Sequence, residues 1–242
     1  MANISSTDLF HFTKSLEILE QILETGLWAR YCVERDWGDK DLLVPMVCAC
    51  DIPLSDIKFH QKKYGSYGIG LNKSWAKKQG FTPVLYVSDK SDIYERLKTY
   101  AENSLVQPIL CNRDRLDEEY LLYYAKRTVG TDADREHLRL KRKPKFSNEK
   151  EWRYVPFNIP APLFFANKGE GQDIRCDKLS KITEQHKLQI EPKDIAYIFI
   201  SKESERGTMI RIIERVYSSF PEEDRKCIIS KIISKEQISN DF

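Results

Sequence analysis

Glu149-Lys-Glu-Trp-Arg-Tyr-Val-Pro-Phe157 decides how the fold is read, because Glu149, Glu151, Arg153 and Val155 alternate with Lys150, Trp152, Tyr154 and Pro156. A period of two marks a strand, whose successive side chains leave opposite faces. Glu149, Glu151 and Arg153 therefore share one row, while Trp152 and Tyr154 stand on the other and can anchor the strand in a core. A solvated sheet edge is the plain explanation of such a row. A carboxylate held on an anchored strand also suits another task, stabilising a cationic transition state. When a nitrogen leaving group departs from a ribosyl carbon, positive charge develops on the sugar. One held carboxylate offsets that charge, and a second can position an acceptor.

Upstream of this strand, regular patterning fails between Gly130 and Asn148, where Asp132, Asp134 and Glu136 run into Arg139, Lys141, Arg142, Lys143 and Lys145. The run reads as a flexible, solvated, charged loop over about 130–148, although local basic charge of this kind can attract phosphate. Before it, about 92–128 reads as a helical insertion by the spacing of Leu97, Tyr100, Ala101 and Leu105, then Tyr120, Leu121, Tyr124 and Ala125. Strand patterns precede the insertion at 44–50, 67–71 and 83–87, with a short helix over 73–79 that Asn72 can cap. The chain opens on a strand over 9–13 and a helix with Leu16, Leu19, Ile22 and Leu23 on one face, closed by Gly26. Downstream, 195–200 reads as a buried strand, 203–219 as an amphipathic helix, and the segment from Pro221 as helix then strand.

Two further islands lie on the early strands. His11-Phe-Thr13 places an imidazole on the first strand, where a core histidine bonded to backbone is the ordinary explanation and a ligand contact the functional one. Tyr64-Gly-Ser-Tyr-Gly-Ile-Gly70 lacks the spacing of a nucleotide-binding loop. Its glycines read as a bulge, or as a place where a ligand or another chain approaches the backbone. Polar residues converging from three strands are costly in a core, so their joint presence favours a ligand cleft near His11 and Glu151, with the basic loop at its rim.

The chain has 242 residues, a length that fits one large domain. A hydrophobic share of 41% supplies a core and excludes wholesale disorder, and a net charge of +2 makes no case for nucleic acid by itself. No stretch approaches the roughly 18 apolar residues of a membrane helix. The start lacks the basic and apolar regions of an export signal, so a cytoplasmic protein without a membrane partner is expected. The six cysteines are too dilute for a disulfide scaffold. Cys48-x-Cys50 with Cys32 and His60 matches no common zinc spacing, so no metal is expected. Neither a Gly-x-Ser-x-Gly elbow nor a His-Glu-x-x-His helix occurs.

The runs His11-Phe-Thr-Lys, Ile18-Leu-Glu-Gln-Ile-Leu-Glu-Thr-Gly26, Val44-Pro-Met-Val-Cys-Ala-Cys-Asp-Ile-Pro-Leu-Ser55, Tyr64–Leu71, Trp75-Ala and Pro83-Val-Leu-Tyr86, with His60 between them, resemble the bacterial AbiGi family of abortive-infection antitoxin proteins. The order of a histidine on the first strand, an aromatic beside a glycine-rich strand and a glutamate on a late strand is also similar to the His-Tyr-Glu arrangement of ADP-ribosyltransferase folds. Glu149-Lys-Glu151 resembles the Glu-x-Glu pattern of members that modify arginine.

This second resemblance implies an α+β fold with a split, antiparallel-rich sheet and flanking helices, and NAD as substrate. It implies Glu151 and Glu149 as catalytic carboxylates, His11 at a ribose hydroxyl, and Thr13, Tyr64, Tyr67, Gly68, Trp75 and Arg153 around the cofactor. Tyr67 would lie along the nicotinamide, with Tyr64 and Trp75 as alternatives. Two functions follow. One is an anti-phage defence enzyme that cleaves NAD at the nicotinamide bond and hydrolyses the ADP-ribose or transfers it to a protein or nucleic-acid acceptor. The other is a non-catalytic antitoxin that binds and restrains a cognate toxin.

Overall fold

The computed structural model describes residues 5–34, 37, 40–104, 121–137, 141–156, 165–167 and 183–241. In chain order the strands are β1 (Asp8–Thr13), β2 (Arg30–Glu34), β3 (Lys40–Cys50), β4 (Tyr67–Asn72), β5 (Thr82–Pro83), β6 (Leu85–Val87), β7 (Ala125–Arg127), β8 (Glu151–Tyr154), β9 (Phe165–Asn167), β10 (Ile195–Ile200) and β11 (Ile232–Ser234). Most pairings are antiparallel and helices flank the strands, as the α+β reading expects. Two compact units divide the chain: Met1–Trp28 with Cys48–Phe81 and Lys187–Phe242, and Ala29–Val47 with Thr82–His186.

In the first unit β1 pairs antiparallel with β4 along its whole length, Asp8 opposite Asn72 and Thr13 opposite Tyr67. β4 pairs antiparallel with β10, and β10 runs parallel to β11. Parallel neighbours need a crossover, here the helices Arg206–Val216 and Glu222–Ser230. Alternation sends Phe10 and Phe12 to one face of β1, and Phe10 packs there with Ile52, Ile57, Phe199 and Ile238.

The glycines of β4 have their physical reason in that packing. Gly70 lies opposite Phe10, and a Cβ there would meet Phe10 Cε1 and Tyr197 Cβ at 3.0 Å. Gly68 lies opposite Phe12, and a Cβ there would come within 2.9 Å of Phe12 Cδ1 and 2.7 Å of the His11 carbonyl oxygen. The glycine-rich strand thus seats an aromatic cluster of Phe10, Phe12, Tyr197 and Phe199, whose ring centroids lie 5.6–6.5 Å apart.

In the second unit β2 and β9 each pair antiparallel with β3, β5 pairs antiparallel with β8, and β6 runs parallel to β7. The stretch 83–87, read as one strand, changes partner midway. Pro83 faces Trp152 of β8, the Val84 amide donates to the Glu151 carbonyl, and Leu85 faces Ala125 of β7. A proline breaks a ladder that it cannot fully join.

Three further expectations are corrected here. Ala125–Arg127, read as part of a helical stretch running to about 128, is β7, because pairing with β6 outweighs helical period. The charged run 130–148 is less irregular than expected: Asp132–His137 is a helix, and the segment around Pro144 and Phe146 is tied down by backbone bonds. The strand expected from Glu149 begins only at Glu151, since Glu149 ends a 3-10 turn and Lys150 is left-handed at φ 44°. The expected contributions of Leu105, Tyr120 and Arg139 lie outside the described residues. Among the described residues no helix is long and apolar enough to cross a membrane.

Candidate functional site

The residues singled out from the sequence fall into two groups. His11, Thr13, Tyr64, Tyr67, Gly68 and Trp75 belong to the first unit, and Glu149, Glu151 and Arg153 to the second. In the first group, β1–β4 pairing puts His11 opposite Ile69, and Thr13 opposite Tyr67. The His11 Nδ1 lies 2.7 Å from the Cys48 carbonyl oxygen. A carbonyl only accepts, so Nδ1 carries the proton and Nε2 is the bare acceptor. Burial pushes the imidazole below its ordinary range, more than the Cys48 carbonyl raises it.

The Tyr67 hydroxyl donates to Glu205 Oε1 at 2.7 Å, while Glu205 Oε2 accepts the amides of Ser201 and Lys202. Burial and that carboxylate push the phenol up to about 12. Thr13 is buried, and Tyr64 is exposed and stacked on His60 at 6.1 Å. Trp75 is 7% exposed, packs on Phe81 at 6.0 Å, and lines an open groove of about 730 Å³ with Asn72, Lys78, Gln189 and Asp194.

The second group converges, though by a different geometry from the expected row. Because Lys150 is left-handed, Glu149 and Glu151 are not successive members of one strand face. Both nevertheless reach a single cation: Lys126 Nζ lies 3.2 Å from Glu149 Oε2 and 2.9 Å from Glu151 Oε2. The other Glu151 oxygen accepts Arg153 Nε at 2.7 Å. Arg153 is completely buried; its Nη1 donates to the Tyr123 carbonyl at 2.8 Å, and its Nη2 pairs with Glu34 Oε1 at 3.1 Å. Lys126 also sits over the Phe146 ring at 4.6 Å, and the Glu151 amide donates to the Tyr86 hydroxyl at 2.9 Å.

Charge in this cluster is settled by partners rather than by water. Burial works to raise the Glu151 carboxyl, but Arg153 and Lys126 prevail and hold it well below the carboxylate range. Burial likewise works to lower Lys126, and Glu151, Glu34 and Glu149 raise it well above the ordinary lysine value. Neighbouring Cys32 is pushed up to about 12, by burial first and then by Glu34, so it stays a thiol instead of a thiolate nucleophile. Among the described residues no group of three histidines, cysteines or acids is arranged to hold a metal.

Lys126, Glu34 and Tyr86 complete the cluster without any signal in the sequence. Nothing in Ala125-Lys-Arg127 or Val33-Glu34 distinguishes a buried partner from an exposed charge. Alternation could have flagged Lys126 only once its segment was known to be a strand.

A family model described as "Putative abortive phage resistance protein AbiGi, antitoxin" matches residues 27–201 of this chain. A Lactococcus lactis subsp. cremoris protein described as "Abortive phage resistance protein AbiGi" is 27% identical to it over 236 residues, covering 84% of this chain and 90% of the relative. No solved structure matches.

Proposed function

Since this chain belongs to the AbiGi family of abortive phage resistance proteins, we propose that it works as an antitoxin that binds and restrains a partner toxin without turning over a substrate. One observation carries the non-catalytic part: both carboxylate oxygens of Glu151 are occupied by cations, Arg153 Nε at 2.7 Å and Lys126 Nζ at 2.9 Å. A carboxylate that stabilises a cationic sugar must present uncompensated negative charge to it. Here two cations lie within hydrogen-bond distance of that charge, and releasing either would leave buried carboxylate charge with less than its full compensation, at a cost of about 3–5 kcal/mol. The groups of the first unit support the same reading, for the Tyr67 hydroxyl and His11 Nδ1 are committed to Glu205 and to the Cys48 carbonyl.

The test is co-expression with toxins encoded beside the gene, followed by purification of the complex and a nicotinamide-release assay on the purified protein. Restored growth, a stable complex and no NAD cleavage are expected. Nicotinamide release that Glu151→Gln abolishes without altering the fold would replace this reading with the NAD-cleaving one. Failure to relieve or bind any such toxin would remove the antitoxin reading.

A further inference from the structure

Lys141, Arg142, Lys143 and Lys145 are all exposed, and the C-terminal end of this run, at Pro144 and Lys145, is tied to the backbone of Val129 and Gly130. The Gly130 amide donates to the Pro144 carbonyl at 2.8 Å, the Asn148 amide to the Lys145 carbonyl at 3.1 Å, and Val129 bridges antiparallel to Lys145. Beneath them Phe146 is buried, and Pro144 fills the space beside Gly130, where a Cβ would come within 2.6 Å of Pro144 Cγ. Lys143 pairs with Asp132 at 3.0 Å. Lys141, Arg142 and Lys145 have no ionic partner among the described residues. Val129, across the bridge from Lys145, leaves 44% of its surface exposed.

We infer that this basic ridge docks an acidic face of the partner toxin, an inference that rests on the antitoxin reading above. Cations on an already ordered backbone lose less freedom on binding than cations on a floppy loop. An exposed apolar residue flanked by uncommitted charge has the make-up of a protein contact, apolar at its centre and polar at its rim. A polyphosphate fits less well. Asp132 and Glu136 stand exposed beside the ridge, and the ridge offers no exposed aromatic on which a base could stack.

The experiment uses the full chain and the toxin it neutralises in co-expression, with association rates measured at low and high salt. The triple variant Lys141→Glu, Arg142→Glu, Lys145→Glu should associate about tenfold or more slowly at low salt, the gap narrowing at high salt. The matching glutamine variant should fall between it and the parent. Reversal of three exposed lysines of the other unit, Lys62→Glu, Lys77→Glu and Lys78→Glu, should leave the rate unchanged. A reversed ridge that melts like the parent and associates at the parent rate overturns the inference while the antitoxin reading stands. A reversed ridge that keeps toxin association and loses binding to an RNA oligonucleotide assigns the surface to nucleic acid instead. A parent protein that neutralises no toxin overturns both.

Discussion

Replacing Arg153 with methionine keeps an unbranched apolar stem and removes the guanidinium around which the second unit's charge cluster is built. Arg153 is fully buried and touches three partners: Glu151 Oε1 at 2.7 Å, Glu34 Oε1 at 3.1 Å and the Tyr123 carbonyl at 2.8 Å. Loss of one partner from a buried pair costs about 3–5 kcal/mol, because the remaining charge stays buried. An orphaned carbonyl adds about 1 kcal/mol or more. For a chain of this length about 2–4 °C of melting temperature is lost per kcal/mol, so a fall of roughly 8–24 °C is expected from a total of about 4–6 kcal/mol.

Because the chain has two compact units, the melt need not be two-state, and the assay must be local. Amide exchange read by mass spectrometry should show protection lost first in the peptides containing β7 and β8. Adding Glu151→Gln to Arg153→Met should recover part of the loss, giving a coupling energy of about 0.5–3 kcal/mol in the double-mutant cycle. An Arg153→Met protein that melts within about 2 °C of the parent, with exchange unchanged in β7 and β8, would refute the reasoning, since a shift that small corresponds to under about 1 kcal/mol.

Four other outcomes are expected. Gly68→Ala should cost about 1–3 kcal/mol in a urea melt, because its methyl would press on the His11 carbonyl and the Phe12 ring. At Lys150, whose φ is 44°, Lys150→Gly should match or slightly exceed the parent in stability, while Lys150→Val should lose about 1–2 kcal/mol or more. Acid should weaken the second unit. The folded Glu151 carboxyl is depressed, so its contribution is fully present above the ordinary value of 4.5 and is lost as pH falls toward the folded value; Glu151→Gln should flatten that part of the stability-versus-pH curve. The His11 ring should titrate below 6.5 by NMR, and its contribution to folding should be present above 6.5 and fade as the solution is acidified.

The sequence alone determined what local periodicity and close packing can encode. An apolar run and a period of two located β1, β4 and β10 within a residue of their ends, because each is an uninterrupted strand in which alternation maps onto two faces. The Glu149, Glu151 and Arg153 island was legible as a set of polar residues, but not its burial: Glu151 and Arg153 stand on the buried face of the strand, and Trp152 and Tyr154, expected to anchor it in a core, are only half-buried. Tertiary structure decided the rest. Whether a carboxylate is bare or neutralised depends on which distant cation lies beside it, and Lys126 reaches Glu151 across 25 residues of chain with no pattern to announce it. The left-handed Lys150 aims both glutamates at that lysine, whereas an unbroken strand would have set them in a row. Glycines that looked like room for a ligand hold room for phenylalanine rings, because only the register of β1 against β4 says what faces the missing side chain. Periodicity acts over a few residues; charge compensation and packing act across the folded chain, through partners that linear order does not bring together.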